Sequence, residues 1–208
     1  MIKKVIEFIQ SDGWLNTIRF ILNGIWSALG RKSVTLCLVG KRIDLKISYR
    51  EYWNQFRIKA YTSSDALESV NFPRLKYTPY HRWFDEGAIC RVVFKADIPV
   101  AFSWTHYKEH SIGNVGIFDM GDSIAWLGPY FVHKNYRGLS LQQLMINQDV
   151  SNASENITSF ITSVNQRNTA SLHSFLKLNF FIGGCSVFSH GKTTINIKEG
   201  ACPYLKIK

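Results

Sequence analysis

The sequence predicts an α/β fold, with a mixed, mostly antiparallel central sheet flanked by helices and an extra N-terminal helical segment. Three observations point there. Residues 2–30 read as one or two helices broken near Ser11-Asp12-Gly13. From Ile89 to Val132 short apolar runs alternate with turn residues, the pattern of antiparallel strands. After Val132 the pattern changes to helix, strand, helix and strand, which completes a mixed sheet.

Taken in order, the apolar run Ser33 to Val39, bounded by Gly40, suits a strand, and Tyr49 to Tyr61 carries aromatic and basic residues at mixed helical spacing. Residues 62–79 hold Ser-Ser-Asp, Asn-Phe-Pro and Thr-Pro, turn chemistry around a short helix. Tyr80 to Glu86 reads as a helical turn closed by Gly87. Strands follow at Ile89–Lys95 and Val100–Tyr107, joined by Ala-Asp-Ile-Pro, and then at Asn114–Phe118 and Ile124–Val132 around Asp-Met-Gly-Asp. A helix over about 139–153 comes next, with Leu141, Leu144, Met145 and Val150 on its inner face. A strand at Thr158–Val164, a helix at Thr169–Leu178, and strands at Phe181–Ser189 and Thr193–Ile197 complete the order.

Composition narrows the function classes. Apolar residues make up 46% and charged residues 19% of 208, which excludes the disordered class. Cys37, Cys90, Cys185 and Cys202 form no short-spaced pair, so neither a metal site nor a disulfide framework is expected, and reduced thiols suit a cytoplasmic protein. The net charge is +10, and residues 1–60 hold eleven Lys or Arg against four acids, which leaves +7 in that stretch. An anionic partner fits this balance: a phosphorylated cofactor, a nucleotide-linked substrate or a membrane surface. No basic helix or aromatic stacking motif for nucleic acid is present, so none is expected. Residues 14–30 are too interrupted and too short for a membrane span. Peripheral membrane contact through 14–30, with Trp14, Phe20, Ile21 and Trp26 inserted, stands beside a core-packed helix as a reading.

Two segments carry chemistry. In Trp126-Leu-Gly-Pro-Tyr130-Phe-Val132-His-Lys-Asn-Tyr-Arg137-Gly138-Leu-Ser140-Leu-Gln142 an extended run meets a basic turn and then a helix. Such a junction exposes backbone N–H groups at a helix N-terminus, a ready site for a pyrophosphate. About thirty residues later Asn168 stands where it caps the next helix, with Ser171 one turn inward.

Together the two segments resemble the GNAT superfamily, the GCN5-related N-acetyltransferases, of bacterial type. Tyr130–Gln142 is similar to its acetyl-CoA signature, a strand ending in Val-His-x-x-Tyr-Arg-Gly. Asn168–Phe180 is similar to its second motif, Asn-x-x-Ser-x-x-x-aromatic followed by Gly-Phe, here Asn179-Phe180. The likeness covers residues 80–198, and residues 1–79 match only as a generic helical half. It implies one acyl-CoA N-acyltransferase domain over 1–208 and acetyl-CoA as co-substrate. By this resemblance Tyr130, Phe131 and Val132 offer backbone groups to the pantetheine arm and the thioester. Arg137, Gly138, Leu139, Ser140, Leu141 and Gln142 wrap the pyrophosphate. Asn168 and Ser171 lie beside the pantetheine, and Phe175 beside the thioester.

Three departures accompany the likeness. Ser140 and Gln142 replace small residues of the phosphate loop, Asn179 replaces Gly, and Phe175 stands where many relatives carry a tyrosine acid. His173 is turned away from Ser171 by helical geometry. For the general base the candidates are His106, Glu109, Asp119 and Asp122, with His106 and Asp119 foremost; a turn role competes for Asp119. Trp83, Trp104, Tyr107, Trp126 and Tyr130 are candidates to line an acceptor cleft, against a core role for each. The implied activity is acetyl transfer to a primary amine of a small molecule, an amino sugar or nucleotide-linked amino sugar of polysaccharide biosynthesis being the preferred acceptor. The alternatives are a longer acyl chain, a protein amine, or a catalytically silent domain that binds CoA or a partner.

Overall fold

A computed structural model describes residues 32–112, 116–190, 192–197 and 206–207, together with Trp14 and Ile18. The helices and the membrane-facing stretch expected over 2–30 fall outside the described residues, save Trp14 and Ile18, both helical and exposed. Among the described residues no helix is long and apolar enough to cross a membrane.

Eight strands form the main sheet: β1 (Ser33–Lys41), β2 (Phe56–Tyr61), β3 (Ile89–Lys95), β4 (Ile98–His106), β7 (Ile124–Val132), β8 (Ser159–Asn165), β9 (Phe181–Ser189) and β10 (Lys192–Ile197). Their order is β10-β9-β1-β8-β7-β4-β3-β2. All neighbours are antiparallel except β7 and β8. A second sheet holds β5 (Glu109–Ile112), β6 (Gly116–Asp119) and β11 (Lys206–Ile207) in the order β11-β6-β5. Among the described residues of 32–207, four α-helices flank them: α1 (Ser64–Glu68), α2 (Tyr80–Asp85), α3 (Leu141–Ser151) and α4 (Thr169–Lys177).

The alternation of side chains along each strand separates two cores. On β3, Cys90, Val92 and Phe94 join Phe102 and Trp104 of β4 beneath α1 and α2. Val93 and Ala101 pack instead on Leu141, Leu144 and Met145 of α3. On β7, Ala125 and Leu127 face α3 and α4, while Ile124 and Trp126 face the small sheet through Phe118 and Met120. The main sheet therefore carries α3 and α4 on one face, and α1, α2 and the small sheet on the other.

Residues 32–79 depart from the generic helical half expected of residues 1–79. β1 lies inside the sheet, bonded on both edges to β8 and β9, with Leu38 and Val39 fully buried. A run of β-branched and apolar residues with two apolar faces suits such a central position. Arg42, just beyond β1, donates to the carbonyls of Val150, Ala153, Ser154 and Ile157, closing the C-terminal end of α3. The stretch Tyr49 to Tyr61, read as helical in spacing, divides into a 3-10 turn at Glu51–Gln55 and the edge strand β2. Here pairing with β3 overrides local spacing. β5 was not anticipated either; its polar residues give a weak strand signal, and pairing with β6 makes it one.

Candidate functional site

β7 and β8 pair in register only at Ile124↔Ser159, Ala125↔Phe160 and Trp126↔Ile161. Beyond Trp126 they diverge, and local sequence accounts for it. Ser103 faces Tyr130 but Thr105 faces Leu127, so β7 holds one extra residue, a bulge at Gly128-Pro129. Gly128 takes φ +120, a conformation that favours glycine, and Pro129 has no N–H to give a ladder. Thr162 Oγ1 donates to the Leu127 carbonyl at 2.6 Å, satisfying it where the fork opens.

The bulge also sets which groups the fork receives. It keeps Tyr130 on the α3 face, three residues after Leu127 on that same face. Beyond it the His133 N–H donates to the Val100 carbonyl. By the alternation of an antiparallel ladder, Phe131 then turns its backbone groups toward β4, and Tyr130 and Val132 turn theirs into the fork. Phe131 is thus a correction to the expected trio. Its backbone serves the sheet and its ring packs on Phe72 and Phe102. The Val132 carbonyl accepts from Arg137 Nε at 3.1 Å, which folds the basic turn back on the strand end.

After a 3-10 turn at Lys134–Tyr136 the chain enters α3 through Gly138 at φ +85 and Ser140 at φ +53. Ser140 makes no side-chain cap, and the Leu144 N–H to Ser140 carbonyl bond is the first of the helix. The first-turn N–H groups of Leu141, Gln142 and Gln143 consequently have no helical partner. The loop is held from outside: the Leu139 carbonyl accepts from both Trp53 Nε1 and Tyr52 Oη at 3.2 Å. Leu139 and Leu141 pack into the core, so each has only backbone to present. Asn168 caps α4, its Oδ1 accepting from the Ser171 N–H at 3.3 Å, and Gln142 Nε2 donates to Ser171 Oγ at 2.8 Å.

A cleft of about 410 Å³ occupies the fork. From the α3/α4 face it is walled by Tyr130, Asn168, Ser171 and Phe175, and from the opposite face by Trp83, His110 and Trp126. The cleft thus meets both sides of the sheet, and its floor is the Leu127-Gly128-Pro129 bulge. Phe175 is buried against Tyr130 and Phe180. His173 is exposed.

The candidates for a base are placed differently from expectation. His106 is not on the cleft wall. It is sealed among Trp83, Trp104 and His110, and neither ring nitrogen has a partner among the described residues. Burial first, then the neighbouring His110, lower its pKa to about 3. Asp119 also lies off the cleft, and its Oδ1 accepts from the Gly121 N–H at 3.1 Å, a turn role at the end of β6. Glu109 and Asp122 are exposed and outside the wall. Trp104 and Tyr107 likewise do not line it.

Two features escaped the sequence reading. One is His110, on the cleft wall. The other is Asp149 of α3, fully buried, whose Oδ1 meets Arg91 Nη1 at 2.6 Å and Thr105 Oγ1 at 3.0 Å, while Oδ2 accepts from Tyr130 Oη at 2.7 Å. Burial raises the Asp149 pKa, opposed by Arg91 and by the donated hydrogen bonds. Burial and then Asp149 push the Tyr130 phenol well up. This network ties β3, β4, β7 and α3 together directly behind the fork. The spacing Leu141, Met145, Asp149 was its available signal: an acid on the apolar stripe of a helix.

No protein-family profile and no curated protein matches the chain. Solved structures do. A conserved protein of unknown function from Staphylococcus epidermidis superposes with TM-score 0.55 at 13% identity, covering 86% of this chain and 67% of that one. A GCN5-related N-acetyltransferase from Kribbella flavida gives 0.50 at 11%, covering 89% and 66%. A tandem GNAT protein from the clavulanic acid biosynthesis pathway gives 0.52 at 11%, covering 77% and 55%. The chain thus spans about 55–67% of the length of these three proteins. With a splayed parallel strand pair, a bulged strand ahead of a helix and a mostly antiparallel sheet, the chain has the fold of the GCN5-related N-acetyltransferases, the GNAT superfamily.

Proposed function

We propose that the protein transfers an acetyl group from acetyl-CoA to a primary amine of a small molecule, by direct attack in a ternary complex. The observation that carries this reading is the fork itself. Outward-turned backbone of Tyr130 and Val132 lies beside a helix whose first-turn N–H groups have no helical partner.

The residues suit the donor. The N–H groups at the start of α3, with the helix dipole behind them, suit a pyrophosphate, and Gly138 keeps the approach open because a Cβ there meets nothing within 4 Å. The Tyr130 backbone, the Val132 N–H, Asn168 and Ser171 provide polar groups for an amide-bearing arm. Bound acetyl-CoA supplies the activated acetyl group. A backbone N–H of β7 aimed into the fork stabilises the oxyanion that forms during attack.

The acceptor enters from the face of Trp83, His110 and Trp126. Two indoles and an imidazole favour a ring-bearing amine through stacking. The +7 balance of residues 1–60 favours one that carries phosphate, which supports a nucleotide-linked amino sugar of polysaccharide biosynthesis as the acceptor.

The test has two readouts. Calorimetry measures CoA binding, and thiol release from acetyl-CoA is followed against free amino sugars, nucleotide-linked amino sugars, polyamines and peptide amines. CoA binding with thiol release on an amino sugar is the expected result. CoA binding without thiol release on any amine favours the silent-domain reading, which Phe175 in place of a tyrosine acid motivates. Absence of CoA binding overturns the proposal.

A further inference from the structure

Resting on the acetyl-transfer reading above, we infer that His110 is the catalytic proton carrier of this cleft, taking the proton of the attacking amine and delivering it to the departing thiolate of CoA.

The placement comes first. β5 sets His110 on the wall opposite Asn168, Ser171 and Phe175, where only 7% of the residue is exposed. The ring stacks on Trp126 at 5.0 Å with 27° between planes, and Trp83 and His106 close its other sides at 6.2 and 4.1 Å. These contacts fix the ring plane without using its nitrogens. Nδ1 is sealed and has no partner among the described residues, whereas Nε2 is not sealed in this way, and the ring itself lines the cleft. A buried imidazole in a structural role ordinarily has its nitrogens bonded. One with an unused nitrogen on the wall of a cleft is available to a ligand.

The chemistry of the site asks for such a group. In the forward step the amine lone pair forms the N–C bond, and the C–S bond breaks with its electron pair left on sulfur. One N–H proton moves to His110 Nε2 and then to sulfur, giving amide, CoA thiol and a neutral imidazole. Phe175 has no proton to give. The Tyr130 phenol on the same wall is engaged with Asp149. Burial, and then the charge of Arg82 on α2, hold the His110 pKa at about 4. The ring is therefore neutral when the amine arrives and passes its proton on rather than retaining it.

His110→Gln and His110→Phe test this in the full chain, the second keeping an aromatic ring against Trp126. Expected is a fall in kcat of about 10²–10⁴-fold in both, with the amine KM changed far less. CoA affinity by calorimetry should match wild type. The carbon-bound ring protons of His110, assigned by their loss in His110→Gln, should shift in NMR spectra when CoA and the amide product are added to wild type. If either variant keeps kcat within about threefold of wild type, the barrier owes less than about 1 kcal/mol to His110 and the inference is overturned, while the acetyl-transfer reading stands. If wild type binds CoA but acetylates nothing and the ring protons do not move, that reading fails and this one with it.

Discussion

Gln142 Nε2 donates to Ser171 Oγ at 2.8 Å, joining the first turn of α3 to the first turn of α4 across the mouth of the fork. The two segments that resemble family motifs, far apart in sequence, meet through the packing of Tyr130 on Phe175 and through this bond. Its geometry also explains how a long residue is accommodated where relatives carry a small one: the side chain lies across to α4. Gln142→Ala should cost about 0.5–1.5 kcal/mol of stability, the net value of one hydrogen bond. Under the proposed function it should also weaken CoA binding several-fold, because Ser171 loses its fixed rotamer. Tighter CoA binding in Gln142→Ala would mean that the side chain obstructs the site instead.

Gly138 tests the phosphate cradle more severely. With φ +85 and open space around its Cβ position, a side chain there is strained but does not clash. Gly138→Glu places a negative charge before the N-terminus of α3. Loss of CoA binding is expected, with unfolding costing only about 1–3 kcal/mol less than in wild type from the strained backbone. Unchanged CoA affinity by calorimetry counts against the cradle.

Asp149 and Arg91 form a buried pair with no exposed face, so removing one partner strands the other. Asp149→Ala should destabilise by about 3–5 kcal/mol in chemical denaturation. Tyr130→Phe removes one donated bond and should cost about 1–3 kcal/mol. Because that phenol is committed to Asp149, Tyr130→Phe should reduce kcat by less than about tenfold, whereas a phenol acting as the acid predicts a loss of about 10²–10⁴-fold.

His106 and His110 make stability depend on pH. Their folded pKa values, about 3 and about 4, lie below the ordinary 6.5, so the unfolded chain binds more protons between these limits. Stability is then fully present above pH 6.5 and is lost as pH falls toward 4. From pH 7 to 5.5 the two rings together should remove about 2–3 kcal/mol, read as a falling urea midpoint. Asp149, with a raised pKa, acts in the opposite sense as pH falls through that value. A variant with both histidines replaced by Phe should show a flatter profile, and a wild-type midpoint independent of pH over this range argues against two buried neutral rings.

Much of the fold is legible along the chain because its signals are local. Alternating apolar runs mark β3, β7, β8 and β9. Asn168 marks the start of α4, and Arg137-Gly138 the turn into α3. Each depends on backbone preferences and on periodicity over a few residues, which sequence carries directly. The likeness to GNAT motifs rests on the same segments.

What only the tertiary structure decided is which groups meet. The insertion of β1 between β8 and β9 depends on pairing over more than a hundred residues, which no local pattern encodes. The bulge at Gly128-Pro129 turns Tyr130 to α3 and aims its backbone into the fork; a one-residue change of register exchanges the two faces of a strand. That same choice of faces buried His106, gave Asp119 to a turn, and brought His110 to the wall from a short polar strand that the sequence did not announce. Preference and period are properties of neighbours in the chain, whereas a site is made of neighbours in space.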